Sequence, residues 1–208
     1  MSTGSSSSRA LALCLGVVQF FFATTWTLYF LLAWLPSYFR DVQHLSIANA
    51  GMFSAAPWLT MFVVTHLVAP LADGMIRRGI SVTATRKAMQ CTGLLLSAGF
   101  MLATRSAESP AAALVLLCGA TGAIGFTWSG YACNALDIAP RHSTWLVGFS
   151  NTIATIPGIV GVAITGWLVD VTGTYSAPFV LTASIAVLGA IVYAIFFSAQ
   201  PLFAEDMA

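Results

Sequence analysis

The residues that carry polar chemistry in this chain are few, and most are set inside long apolar runs. His66 stands in the latter part of one such run. Histidine is the residue type that titrates near neutrality, so the position reads in two ways. It is a proton carrier or solute ligand, or it is a neutral imidazole bonded to a neighbouring helix. Ser150, Asn151 and Thr152 form a denser group, followed by Pro157 and Gly158. Proline removes a backbone donor and crowds the preceding turn, which frees carbonyls near Ile153 and Ala154. Interrupted helices offer such groups to ligands in transporters, although ordinary interhelical hydrogen bonding uses the same residue types. Gln19, Thr24, Thr25, Trp26, Thr27 and Tyr29 make a third group. Thr25 and Tyr29 are four residues apart and Gln19 and Trp26 seven, so each pair shares a helical face. Aromatic stripes at this spacing commonly fill cores, whereas the added hydroxyls and amide suit a cavity lining.

Other chemistries find less support. Cys14, Cys91, Cys118 and Cys133 have no CxxC spacing and no histidine partners, so neither a disulfide framework, a zinc site nor a cofactor is implied. Gly119, Gly122 and Gly125 recur every third residue, which serves close helix approach in lipid. A membrane protease of the rhomboid class is the enzyme alternative. It needs a Gly-x-Ser-Gly serine and an intramembrane histidine on a later helix. Here Thr127-Trp128-Ser129-Gly130 lacks the leading glycine, and the only later histidine, His142, falls in a charged loop.

The elements that must hold these groups are membrane helices. The 208 residues include 8 basic and 7 acidic side chains, or 7% charged, against 58% hydrophobic, with a mean hydropathy of +0.87. Soluble domains carry about a quarter charged residues. The composition excludes a soluble enzyme and a disordered chain, and a net charge of +1 excludes a nucleic-acid binder working through a basic patch.

No charge occurs from Ala10 to Phe39, Val42 to Ala72, Ala88 to Thr104, Ser109 to Leu136, His142 to Val169, or Val171 to Ala204. A spanning helix needs about 20 mostly apolar residues, and a charge at mid-membrane costs roughly 2.5–3.5 kcal/mol. Five gaps exceed that length, and Lys87 and Arg105 can snorkel to extend the shorter third one. The expected fold is all-α, with six transmembrane helices near 11–37, 49–72, 87–104, 111–133, 143–168 and 177–198. They form a bundle over 10–200, between a flexible polar tail at 1–9 and a second tail at 201–208. Barrel strands would alternate apolar and polar residues, whereas Leu11 to Phe22 and Ala111 to Cys118 are apolar on every side. Arg9, Arg77, Arg78, Arg86, Lys87 and Arg141 fall on one side and only Arg40 and Arg105 on the other, which places both termini in the cytoplasm.

Three passages resemble a known family. The first is Trp26-Thr27-Leu28-Tyr29 with Leu35-Pro36-Ser37-Tyr38-Phe39. The second runs from Gly51-Met52-Phe53-Ser54-Ala55-Ala56-Pro57-Trp58 through Leu71-Ala72-Asp73 to Arg86-Lys87-Ala88-Met89. The third is Asn134-Ala135-Leu136-Asp137-Ile138-Ala139-Pro140-Arg141, continuing to Gly148-Phe149-Ser150-Asn151-Thr152. Together they resemble the second half of the anion:cation symporters of the major facilitator superfamily. That group includes vesicular glutamate transporters, sialin, sodium–phosphate cotransporters and plant plastid phosphate transporters.

The resemblance implies a twelve-helix transporter of two six-helix halves, of which this chain is the C-terminal one. The solute, an inorganic or small organic anion driven by Na⁺ or H⁺, would lie between the halves. The membrane (plasma, vesicular or plastid) stays open. Thr24, Thr25, Tyr29, His66, Asn151 and Thr152 are the expected cavity wall. Asp73-Gly74-Met75-Ile76-Arg77-Arg78-Gly79 resembles the superfamily's loop motif of an acid followed four residues later by a base, with Ala69 where the motif has its first glycine. Asp73 with Arg77, and Asp137 with Arg141, are the implied conformational latches, and Pro157 is an implied flexure. Some members carry an arginine at the position of Thr24, thought to meet the anion. Its absence leaves a phosphate or monoanion carrier of the plastid type at least as compatible as a dicarboxylate carrier. No Lys or Arg falls inside an expected span. The counter-charge is therefore expected from the missing half, a second copy or helix dipoles. A stand-alone half-transporter acting as a homodimer is the alternative.

Overall fold

The computed structural model describes residues 3–132 and 143–199. Among them the chain forms α-helices and a π turn, with no strand. The helices are α1 (Thr3–Asp41), α2 (Ile47–Arg77), α3 (Val82–Thr104), α4 (Pro110–Thr127), α5 (Ser143–Thr172) and α6 (Ser176–Phe196), and α4 runs into the π turn Trp128–Ala132. Among the described residues four segments are long and apolar enough to cross a membrane: Ile47–Arg77, Pro110–Gly130, Val147–Thr172 and Ser176–Phe196. The protein is thus a multi-pass, all-helical membrane protein. The other two spans anticipated from the charge gaps fall on α1 and α3, which form as helices but are not among these four.

Serines fix several helix starts. The hydroxyls of Ser46, Ser81 and Ser109 accept from the N–H groups of Asn49, Ala84 and Ala112 at 3.3, 3.2 and 3.2 Å. Pro110 then occupies the first turn of α4, where its missing N–H costs nothing. The cap at Ser81 begins α3 ahead of the span at 87–104 read from the charges, so Arg86 belongs to the helix and not to the preceding loop. Likewise α1 reaches back to Thr3, into the stretch anticipated as a tail.

In lipid there is little hydrophobic drive between helices, so close backbone approach decides the packing. α4 packs against α2 and α3, α1 against α5 and α6, and α3 against α6. Phe30, Leu31 and Phe39 of α1, Leu94 and Met101 of α3, Leu117 and Ile124 of α4, and Phe179 of α6 share one core. The glycine series of α4 divides between two neighbours: Gly122 and Gly125 abut Val64 of α2, and Gly119 abuts the Phe100 ring of α3. A second seam joins α1 to α5. Tyr29, Trp26 and Trp34 lie against Gly158, Gly161 and Gly166, so close that Cβ atoms there would stand 2.8, 3.2 and 3.2 Å from the rings.

The outward faces differ in kind. The large exposed side chains of α3 and α6, such as Leu95, Leu96, Leu188, Ile191 and Ile195, are apolar. Those of α1, α2 and α5 mix apolar residues with Tyr29, His66, Asn151 and Thr152.

Candidate functional site

On α1 the two adjacent threonines part company, because successive helical residues point about 100° apart. Thr24 is buried, and its hydroxyl accepts from Nε2 of Gln90 on α3 at 3.3 Å. Thr25 is half-buried on the side of Tyr29, which is 37% exposed. Trp26 turns inward and donates from Nε1 to the Thr182 hydroxyl of α6 at 3.3 Å. The stripe Thr25, Tyr29, Leu32, Pro36 therefore forms the open face of α1, and Thr24 lies off it.

His66 is exposed on α2, with Nδ1 2.8 Å from the Phe62 carbonyl and its ring centroid 4.3 Å from that of Phe62. A carbonyl only accepts, so Nδ1 carries a hydrogen and Nε2 is left to exchange a proton or bind a solute. On α5, Asn151 and Thr152 are exposed. Thr152 and Thr155 donate back to the carbonyls of Gly148 and Asn151, each at 3.0 Å. The Asn151 amide makes no hydrogen bond among the described residues and presents both donor and acceptor. Pro157 is buried, and α5 continues through it. α1 packs against both α2 and α5, which make no substantial contact with each other. Tyr29 thus sits at the α1–α5 seam through Gly158, while His66 stands apart on α2.

Asp73 and Arg77 are both exposed and form no ion pair among the described residues. Asp137 and Arg141 lie outside the described residues. At that same end Arg86 corrects the sequence reading. It is buried within α3 and donates from NH1 to the Ser129 carbonyl of the π turn at 2.8 Å. A π turn interrupts the regular i→i+4 ladder, and a cation held against its carbonyl satisfies the break. Lys87 donates to the Ala194 carbonyl of α6 at 2.6 Å.

Two features escaped the sequence reading. Gln90 of α3 is fully buried against α1 and the π turn, and its Oε1 has no hydrogen-bond partner among the described residues. A polar residue inside a charge-free run was the available signal. The second lies at the opposite end of the bundle, where Arg40 and Arg105 count only as markers of sidedness in the sequence. There Arg40 pairs with Asp41 at 2.6 Å, and Tyr175 donates to Asp41 Oδ2 at 3.1 Å. The Arg40 guanidinium holds the Asp41 carboxyl below its ordinary value. Burial, reinforced by the hydrogen bond to Asp41, pushes the Tyr175 hydroxyl up to about 12. Among the described residues no group of three or more His, Cys, Asp or Glu side chains is placed to hold a metal ion.

No protein-family model matches the chain. Individual relatives do. The chain is 33% identical over 181 residues to "Probable anion transporter 1, chloroplastic" of Oryza sativa subsp. japonica, covering 87% of this chain and 34% of that protein. It is 32% identical over 181 residues to "Sodium-dependent phosphate transport protein 1, chloroplastic" of Arabidopsis thaliana, covering 87% and 35%. It is 31% identical over 181 residues to "Ascorbate transporter, chloroplastic" of Arabidopsis thaliana, covering 87% and 33%. The chain thus spans about a third of the length of the curated relatives it matches. Long apolar helices, glycine-tight seams and this likeness agree: the chain is a homologue of the plant chloroplast anion and phosphate transporters.

Proposed function

We propose that the chain is the C-terminal six-helix half of a secondary active transporter for a small anion of the phosphate or carboxylate class. α1 and α3 complete the six spans in this reading. The observation that carries it is the placement of Tyr29, His66, Asn151 and Thr152 on outward faces of α1, α2 and α5, in a chain similar to anion transporters. Polar side chains facing hydrocarbon are costly, and the same side chains facing a second six-helix half line an aqueous path.

The mechanism follows from the chemistry of these groups. Thr25, Tyr29 and Thr152 hydroxyls and the Asn151 amide donate to the anion's oxygens without fixing it by charge, which permits release on the far side. Counter-charge comes from the other half or from helix dipoles. His66, with Nε2 unengaged, carries a coupling proton; Na⁺ coupling is the other possibility for the same gradient-driven step. Thr24 acts indirectly, fixing α1 through Gln90. Asp73 reaches the other half in one state of the cycle, consistent with its having no partner here. The relatives compared are transporters, which supports this reading over the intramembrane protease.

The test is uptake of radiolabelled phosphate into proteoliposomes containing the full-length parent protein. Gradient-driven accumulation that falls at least about tenfold in Asn151→Ala and Tyr29→Ala supports the reading. Accumulation unchanged in both would discard it.

A further inference from the structure

The end of the bundle that carries Arg40 and Arg105 contains a cavity of about 540 Å³. Asp41, His44, Arg105, Thr174, Tyr175 and Ser176 are among its polar lining residues. It lies between the last turns of α1 and α3 and the loop from α5 to α6. None of Tyr29, His66, Asn151 or Thr152 lines it.

Two opposite charges, Asp41 and Arg105, line the cavity, and of the two only the acid is in an ion pair among the described residues. Both oxygens of Asp41 are engaged by Arg40, from Nε to Oδ1 at 2.6 Å and from NH2 to Oδ2 at 3.2 Å, and Oδ2 also accepts from Tyr175. The acid is therefore neutralised by a base outside the cavity lining. Arg105 spends only Nε, donating to the Ser176 hydroxyl at 2.6 Å, and its terminal nitrogens have no partner among the described residues. That leaves two nitrogens of a planar fork to give, while Glu108 and Asp170 adjoin the lining without belonging to it. Tyr175 and Ser176 also open α6, whose start has no side-chain cap, so the positive end of that helix meets the same space. A planar donor fork in a recess beside hydroxyls suits a small oxyanion, which it binds through paired hydrogen bonds.

We propose that this cavity is a second anion-binding site, peripheral to the central path, which takes a phosphate or carboxylate group. If the transport reading holds, it is the vestibule in which the solute is first held on that side. The vestibule role rests on that reading, but binding to the cavity does not.

The experiment is calorimetric titration of the purified full-length protein, in neutral detergent, with inorganic phosphate. Arg105→Gln should weaken binding by roughly tenfold or more. Arg105 also ties α3 to α6, so a second variant guards against a folding artefact. Ser176→Asp places a carboxylate at a helix N-terminus, where it favours the fold, and within reach of Arg105, where it competes with the ligand. It should remove the phosphate-binding event that belongs to the cavity while leaving the melting temperature unchanged or raised. Arg78→Gln, an exposed cation at the opposite end of the bundle, should leave this binding intact. Phosphate binding that survives both Arg105→Gln and Ser176→Asp undiminished would overturn the peripheral site, whatever Asn151→Ala does to the central one. Displacement of phosphate by micellar phosphatidylglycerol would identify a lipid headgroup as the source of the bound phosphate group and overturn the vestibule role.

Discussion

Gln90 of α3 donates to the hydroxyl of Thr24 on α1 at 3.3 Å, and both side chains are buried. This contact joins two helices that otherwise touch little, and among the described residues Oε1 of the same amide has no partner. The arrangement is half-satisfied, which makes its energetics asymmetric. Thr24→Val strands the whole amide and should cost about 1–3 kcal/mol in unfolding free energy. Thr24→Val with Gln90→Met removes both partners and should restore most of that loss. A double-mutant cycle from chemical denaturation in detergent measures it, and additive losses would contradict the contact.

Glycine seams provide a sharper test of packing. A Cβ at Gly93 would stand 2.8 Å from the Ala123 carbonyl of α4, a backbone atom with no freedom to yield, whereas one at Gly99 would meet nothing within 4 Å. Gly93→Ala should destabilise by about 1–3 kcal/mol. Gly99→Ala, on the same helix, should be neutral or stabilising by up to about 1 kcal/mol. Thermal melting of the two variants in one detergent is sufficient to compare them.

Arg86 should behave unlike its neighbours in the sequence. Arg86→Ala removes a charged donor from the Ser129 carbonyl and should cost about 1.5–3 kcal/mol. Arg77→Ala and Arg78→Ala, both exposed, should stay within about 0.5 kcal/mol. Equal effects in all three would show that the buried placement of Arg86 is wrong.

The Arg40–Asp41–Tyr175 contacts carry a pH dependence of known sign. A carboxyl held below its ordinary pKa of 3.8 stabilises the fold above that value, and the contribution is lost as the pH falls through and beneath it. Asp41→Asn is therefore expected to lower the melting temperature slightly at neutral pH and to coincide with the unsubstituted protein near about pH 2. The pair is exposed, so the difference is small. A difference that grows on acidification would contradict the pairing.

His66 bears on coupling. If it carries the proton, His66→Ala should abolish the dependence of uptake on a pH gradient while leaving the protein folded. Unchanged pH dependence discards that role and places the proton site on another group.

Much of this architecture was legible from charge spacing alone, because a charge in hydrocarbon costs several times what an apolar residue gains. The helix order was visible in that way, the close-packing role of Gly119, Gly122 and Gly125 was visible in their spacing, and the three passages were visible as a resemblance. Other features were hidden, for physical reasons. Whether Thr24 or Thr25 faces inward depends on the rotation of α1, which periodicity does not set when both sides are apolar. Arg86 looked like a loop charge because the cap that extends α3, Ser81, resembles any polar linker residue. Asp41 and Arg105 are 64 positions apart in the sequence, so nothing short of the fold brings them to one cavity.

The central claim is that Tyr29, His66 and Asn151 face a water-filled path and not lipid. It is tested most directly by single-cysteine labelling of the full-length protein in membranes, with the native cysteines replaced. Tyr29→Cys, His66→Cys and Asn151→Cys are expected to react with a membrane-impermeant thiol reagent and to be protected by phosphate. Leu96→Cys and Leu188→Cys, on the apolar faces of α3 and α6, are expected to stay unlabelled. Labelling at the leucine positions with silence at Tyr29, His66 and Asn151 would contradict the claim.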